Sequence, residues 1–135
     1  MTLRLTLRFL ATAAVAYLLI ALLQTLCLEV WLDGQVHHGA PAGILAGGIA
    51  GTAASGLIGG WCAAFVGGQR PLLFASGVVI PLGLDTIYVL TKAAGDDPLW
   101  FSLGGSLTLM VATMTGGLVR ARQRQGGDQP SSLAA

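Results

Sequence analysis

The chain has 135 residues, of which 54% are hydrophobic and only 10% charged, with a net charge of +1 and a mean hydropathy of +0.75. A soluble domain keeps about 25% of its residues charged to wet its surface, so this composition excludes an ordinary soluble globule and predicts an all-α integral membrane protein. The near-neutral charge leaves no phosphate-neutralising surface for nucleic acid, and two cysteines exclude a disulfide scaffold.

A helix needs about 20 mostly apolar residues to cross a hydrocarbon core roughly 30 Å thick, and four stretches qualify: 9–32, 43–67, 72–91 and 99–119. Arg4 and Arg8 precede the first, and Leu3, Leu5 and Leu7 read as its opening turns. Its apolar run lasts to Leu32, longer than the roughly 7–15 residues of a signal-peptide core, and no small-x-small cleavage site closes it. Gln24-Thr25-Leu26 ahead of Cys27 also lacks the small residue of a lipoprotein site, so the segment reads as a retained anchor. Asp33-Gly34 and Pro41 end it. Gly67-Gly68-Gln69-Arg70-Pro71 separates the second and third spans, and Gly95-Asp96-Asp97-Pro98 the third and fourth. Connections this short make consecutive helices antiparallel neighbours. The predicted fold is a four-transmembrane-helix antiparallel bundle over 1–120. The tail 121–135, rich in Gln, Gly and Ser with no apolar period, is expected to be disordered.

All six arginines (Arg4, Arg8, Arg70, Arg120, Arg122 and Arg124) fall on one side of this topology. The other side carries Lys92 with Glu29, Asp33, Asp96 and Asp97. The positive-inside rule puts both termini in the cytoplasm, and Trp31, Tyr88 and Trp100 mark the outer interface. Arg122 and Arg124 in the tail are too few for a polybasic lipid-binding cluster. Six Arg against one Lys, with abundant Ala and Gly, fit a GC-rich bacterial genome and hence a bacterial inner membrane.

The second span carries the clearest pattern. One row of every fourth residue reads Gly43, Gly47, Gly51, Ser55, Gly59, Ala63 and Gly67; its neighbour reads Gly48, Thr52, Gly56, Gly60, Ala64 and Gly68. Small residues let two backbones approach closely in lipid, so this helix is expected at the packing centre of the bundle, touching more than one partner. Gly104, Thr108, Ala112 and Gly116 repeat the device more weakly, and Ser106, Thr113 and Thr115 offer hydroxyls to other helices or to their own carbonyls. Paired glycines twelve residues apart in spans two and four, and Gln24-Thr25 against Asp85-Thr86 in spans one and three, also raise a parallel internal duplication.

Asp85 is the foremost chemical candidate. It lies about fourteen residues into the third span, where an acid costs at least about 2.5 kcal/mol to insert. Pro81, one turn earlier, cannot donate to the Gly77 carbonyl, and with Gly83 it is expected to kink the helix. An ionisable group beside a broken helix fits a proton- or ion-coupled site; the plainer alternative is an interhelical clasp to Gln24, with Tyr88 a neighbour one turn away. Lys92 reads as snorkelling to the outer interface. His37 and His38, with Glu29 and Asp33 nearby, are weak metal candidates, and an exposed polar loop explains them as well. Cys27 and Cys62 sit near opposite ends of their spans, too far apart for a disulfide.

No Walker loop, His-Glu-x-x-His or nucleophile–base spacing is present, so no enzyme activity and no cofactor are expected. Small multidrug transporters share the size and span count, but their membrane glutamate belongs mid-way along the first helix, where this chain has Gln24. The motifs of fluoride channels are missing too, and no family is assigned. Two functions remain. One is a structural or accessory subunit, docking another membrane protein or a second copy through the glycine face of Gly47, Gly48, Gly51, Ser55, Gly56, Gly59 and Gly60. The other is a small oligomeric transporter or channel for an ion or small molecule, with Asp85 coupling and the Pro81–Gly83 break as its hinge.

Overall fold

The computed structural model describes residues 2–92 and 98–127. Helix α1 (Leu3–Thr25) continues as a π-helical turn, Leu26–Trp31; α2 spans Ala42–Gly67, α3 Pro71–Lys92 and α4 Leu99–Gly127. The described residues are helical or loop, without strands, and all four helices are long and apolar enough to cross a membrane. Asp96 and Asp97 lie outside the described residues, as do 128–135.

Helix α1 begins at Leu3, so Leu3, Leu5 and Leu7 lie in its opening turns, and Arg8 donates to the Val66 carbonyl at 2.5 Å. One boundary differs from the sequence reading: residues 121–127 continue α4, where a disordered tail was expected. Gln123 accepts from Trp61 Nε1 at 3.1 Å, and Arg124 donates to the Gly68 carbonyl. The last carbonyls of a helix have no intrahelical donor, so Arg8 and Arg124 both supply what the end of α2 lacks.

Helix α2 packs on α1, α3 and α4, most extensively on α4, while α3 also touches all three others. Helices α1 and α4 do not meet among the described residues. The bundle is therefore a rhombus with α2 and α3 on its short diagonal. A two-fold axis exchanging α1–α2 with α3–α4 would map the α2–α3 contact onto α4–α1. That contact is missing, so the bundle lacks the symmetry of a parallel duplication.

The glycines of α2 explain its central place. On one row, a Cβ at Gly51 would overlap the Cys27 thiol and one at Gly59 the Ile20 side chain, both on α1 and its π turn. On the other, a Cβ at Gly56 would come 2.8 Å from Ala112 Cβ, and one at Gly60 would overlap the Thr113 carbonyl. Each row thus faces a different helix of the same chain. Ser55, in the first row, turns its hydroxyl back to the Gly51 carbonyl at 2.7 Å. Gly47 and Gly48 lie under Leu32 and Val36 of the connection after α1.

The hydroxyls of the bundle act locally. Thr12, Thr86, Thr108, Thr113 and Thr115 each bond the carbonyl four residues earlier, at 2.7–2.8 Å. The helix contacts are therefore held by close packing rather than by hydroxyl bridges. Phe74, 2% exposed, is the largest fully buried side chain. It meets Phe9 edge to face at 5.7 Å and lies against Gly67, where a Cβ would approach its own to 2.9 Å. Phe74→Ala is expected to cost about 3–5 kcal/mol, measured as a shift of the unfolding midpoint in mixed micelles.

Buried positions fall at 12–20 in α1, 48–64 in α2, 74–82 in α3 and 109–117 in α4. In α1, α3 and α4 they leave uncovered the helix ends farthest from the arginine-capped end of α2. The core fills the half of the bundle nearer the arginines; the other half is where the helices open.

Candidate functional site

A cavity of about 600 Å³ occupies the open half, with walls from α1, its π turn, α2, α3 and α4. It lies between α1 and α4, the two helices that do not touch. Asp85 and Thr86 enter from α3, Thr52 from α2, Gln24 and Glu29 from α1 and its π turn, and Ser102, Ser106 and Thr108 from α4. Leu28, Leu45, Ile49, Leu82, Val89, Trp100 and Phe101 are among the apolar lining. Among the described residues no Lys, Arg or His lines it, and its ionisable groups are the acids Glu29 and Asp85. Its size is within the roughly 300–1,000 Å³ of ordinary ligand pockets, and a mostly apolar wall with a few convergent polar groups is their usual make-up.

The π turn is what brings Glu29 here. A π turn bonds residue i to i+5, seen in the Leu32 amide donating to the Cys27 carbonyl at 3.0 Å. Residues five apart then share a face, and Gln24 and Glu29 line the cavity together. The turn ends in two left-handed residues, Asp33 at φ +52° and Gly34 at φ +62°. The Gly34 amide closes back on the Leu28 carbonyl, six residues earlier, at 2.9 Å, giving one of the helix's last carbonyls a donor. Gly34 also makes room for the acid, since a Cβ there would sit 3.2 Å from Glu29 Oε2.

Asp85 is not sealed in the core. Its residue is exposed and its side chain lines the cavity. Its polar neighbour is Tyr17 of α1, whose hydroxyl is placed to donate to the carboxylate. Gln24, expected as the clasp, lines the same cavity as Asp85. Tyr88 lies on the outer surface, 61% exposed, away from the cavity wall. Helix α3 runs unbroken through Pro81, and Gly77, whose carbonyl Pro81 cannot serve, packs against the Phe9 ring. Gly83 has room to spare, with Met110 at 3.9 Å from an added Cβ.

His37 and His38 stand edge to face at 6.3 Å in the loop before α2, and His37 Nδ1 accepts from the Gly39 amide at 3.2 Å. That bond turns His37 Nδ1 toward the backbone of its own loop. No group of three His, Cys, Asp or Glu residues converges among the described residues.

No protein-family model, curated protein or solved structure matches this chain. Two carboxylates facing one cavity act together on a cation that enters it. Trp100 and Phe101, edge to face at 5.8 Å, add aromatic rings to the same wall, and ring faces attract ammonium-type cations. Glu29 in the cavity wall, and Tyr17 beside Asp85, were invisible to helical periodicity. Tyr17 reads as one more apolar-face residue of α1, and Glu29 joins Gln24 only through the π turn.

Proposed function

We propose that this chain is a multi-pass cell-membrane protein that binds a cation in the acidic cavity and carries it, as a small proton- or ion-coupled transporter or channel. Asp85 is its coupling residue and Glu29 shares the charge. In this reading both ends are cytoplasmic, the membrane is a bacterial inner membrane, and the cavity opens outward. The outward faces support insertion: Leu18, Leu22, Ile80, Leu84, Ile87 and Leu107 are each 56–64% exposed, a surface suited to lipid rather than water. The six arginines, set at the end away from the cavity, support the orientation.

The observation that carries the reading is that Asp85 and Glu29 line one cavity with no basic residue among its described walls. The aromatic walls favour an organic ammonium over a bare metal ion. The accessory-subunit reading has less support, because the glycine rows of α2 offered for docking are filled by α1 and α4 of the same chain. Gly104 and Gly105, which have nothing within 4 Å of an added Cβ, line the cavity.

The test is equilibrium dialysis of the protein in lipid nanodiscs against tetraphenylphosphonium, with sodium as competitor. Saturable binding that excess sodium displaces only weakly is the expected result. Absence of saturable binding by either cation would sink the transporter reading.

A further inference from the structure

We infer that the arginine end of the bundle holds a second site, one that seats the phosphate of an anionic phospholipid. A cavity of about 210 Å³ there is lined by Phe65, Gly68, Gln69, Pro71, Arg120 and Arg124. It lies where the end of α2, the turn into α3 and the last turns of α4 come together. The site is separate from the acidic cavity and does not depend on what that cavity binds.

The two arginines are held by the fold rather than left free in solvent. The Arg120 guanidinium lies 4.8 Å from the Phe65 ring centre and 5.5 Å from that of Trp61. Those two rings stack at 5.5 Å, and Trp61 is fixed in turn by its bond to Gln123. Arg124 is held by one donor on the Gly68 carbonyl. A guanidinium has five N–H donors, so Arg124 keeps four, and Arg120 offers its edge while its face is taken by the rings. Two oriented forks suit the tetrahedral oxygens of a phosphate. None of the described carboxylates, Glu29, Asp33 and Asp85, lies at this end, and none lines the cavity.

The neighbourhood favours a lipid over a free ion. Phe65 and Val66 are exposed beside the site, at 55% and 40%, and present apolar surface where acyl chains would descend. Basic pockets between helices at the cytoplasmic surface are a known way of binding anionic headgroups. Sequence alone counts too few tail arginines for such a site. The continuation of α4 to Gly127 brings Arg124 back against α2, and that changes the count.

Native mass spectrometry from micelles doped with equal phosphatidylglycerol and phosphatidylcholine tests this directly. The wild type is expected to retain one phosphatidylglycerol with about a thirtyfold preference, from two arginines at the membrane surface. The preference should fall to near unity in the Arg120→Gln/Arg124→Gln variant and survive in Arg122→Gln, which removes one positive charge outside the cavity. Equal retention of both lipids by the wild type would overturn the proposal without any variant. So would a preference that survives the double change, or one lost equally in Arg122→Gln, which would indicate diffuse attraction. Inorganic phosphate at millimolar concentration should not displace the lipid; if it does, the site takes a soluble anion and the lipid assignment fails.

Discussion

Replacing Asp85 by asparagine is expected to weaken tetraphenylphosphonium binding sharply while the bundle stays folded. The amide keeps the shape of the side chain and its ability to accept from Tyr17, so the α1–α3 contact is preserved. What disappears is a full negative charge in a cavity whose remaining acid, Glu29, enters from the other side on the π turn. A charged hydrogen-bonding or ionic contact is worth about 1.5–3 kcal/mol, so affinity should drop about 10- to 100-fold. Glu29→Gln should cost less, because its residue is exposed near the rim beside Gly34. Tyr17→Phe should weaken binding only a few-fold, since it frees the carboxylate to rotate without removing the charge. Dialysis of the three variants in parallel checks this order. Unchanged binding in Asp85→Asn would mean that Asp85 serves only to join α1 and α3.

A single methyl group at Gly60 is expected to disrupt the bundle, whereas the same methyl at Gly104 should be tolerated. The Cβ at Gly60 would overlap the backbone carbonyl of Thr113, with Thr113 itself wholly buried. Neither helix can give way by rotating a side chain, because the obstruction is main chain on α4 and the probe is attached to main chain on α2. Overpacking typically costs 1–3 kcal/mol and sometimes more, and Gly60→Ala should fall at or above the upper end, about 3 kcal/mol. Gly104 has nothing within 4 Å. Alanine there should be neutral or add up to about 1 kcal/mol from helix propensity. Unfolding curves in mixed micelles for the two variants test the difference. Similar curves would mean that the α2–α4 approach is looser than its geometry implies.

The contrast between these two glycines marks the limit of sequence reading here. Both sit in small-residue rows of span-length helices, and composition treats them alike. Helix positions were legible to within a few residues, because length and hydropathy are local properties. So was the clustering of arginines at one end, which follows from chain order once the helices alternate. The end of α4 was not legible: a Gln- and Gly-rich stretch has no apolar period of its own, and its helical form depends on Trp61 and Gly68, some sixty residues earlier.

Sequence by itself also singled out Asp85 and the two glycine rows of α2, since a charge in an apolar run and glycine at every fourth place are visible without coordinates. Only the tertiary structure decided what those residues face. It assigned one glycine row to α1 and the other to α4, turned Asp85 toward Tyr17 rather than Gln24, and left Tyr88 outside. It brought Glu29 into the cavity through a single π turn. The reason is physical: hydropathy records how much of a helix avoids water, whereas a partner is chosen by fit between surfaces far apart in the chain. One-residue changes in helical register and close backbone contact determine that fit, and neither leaves a mark in composition.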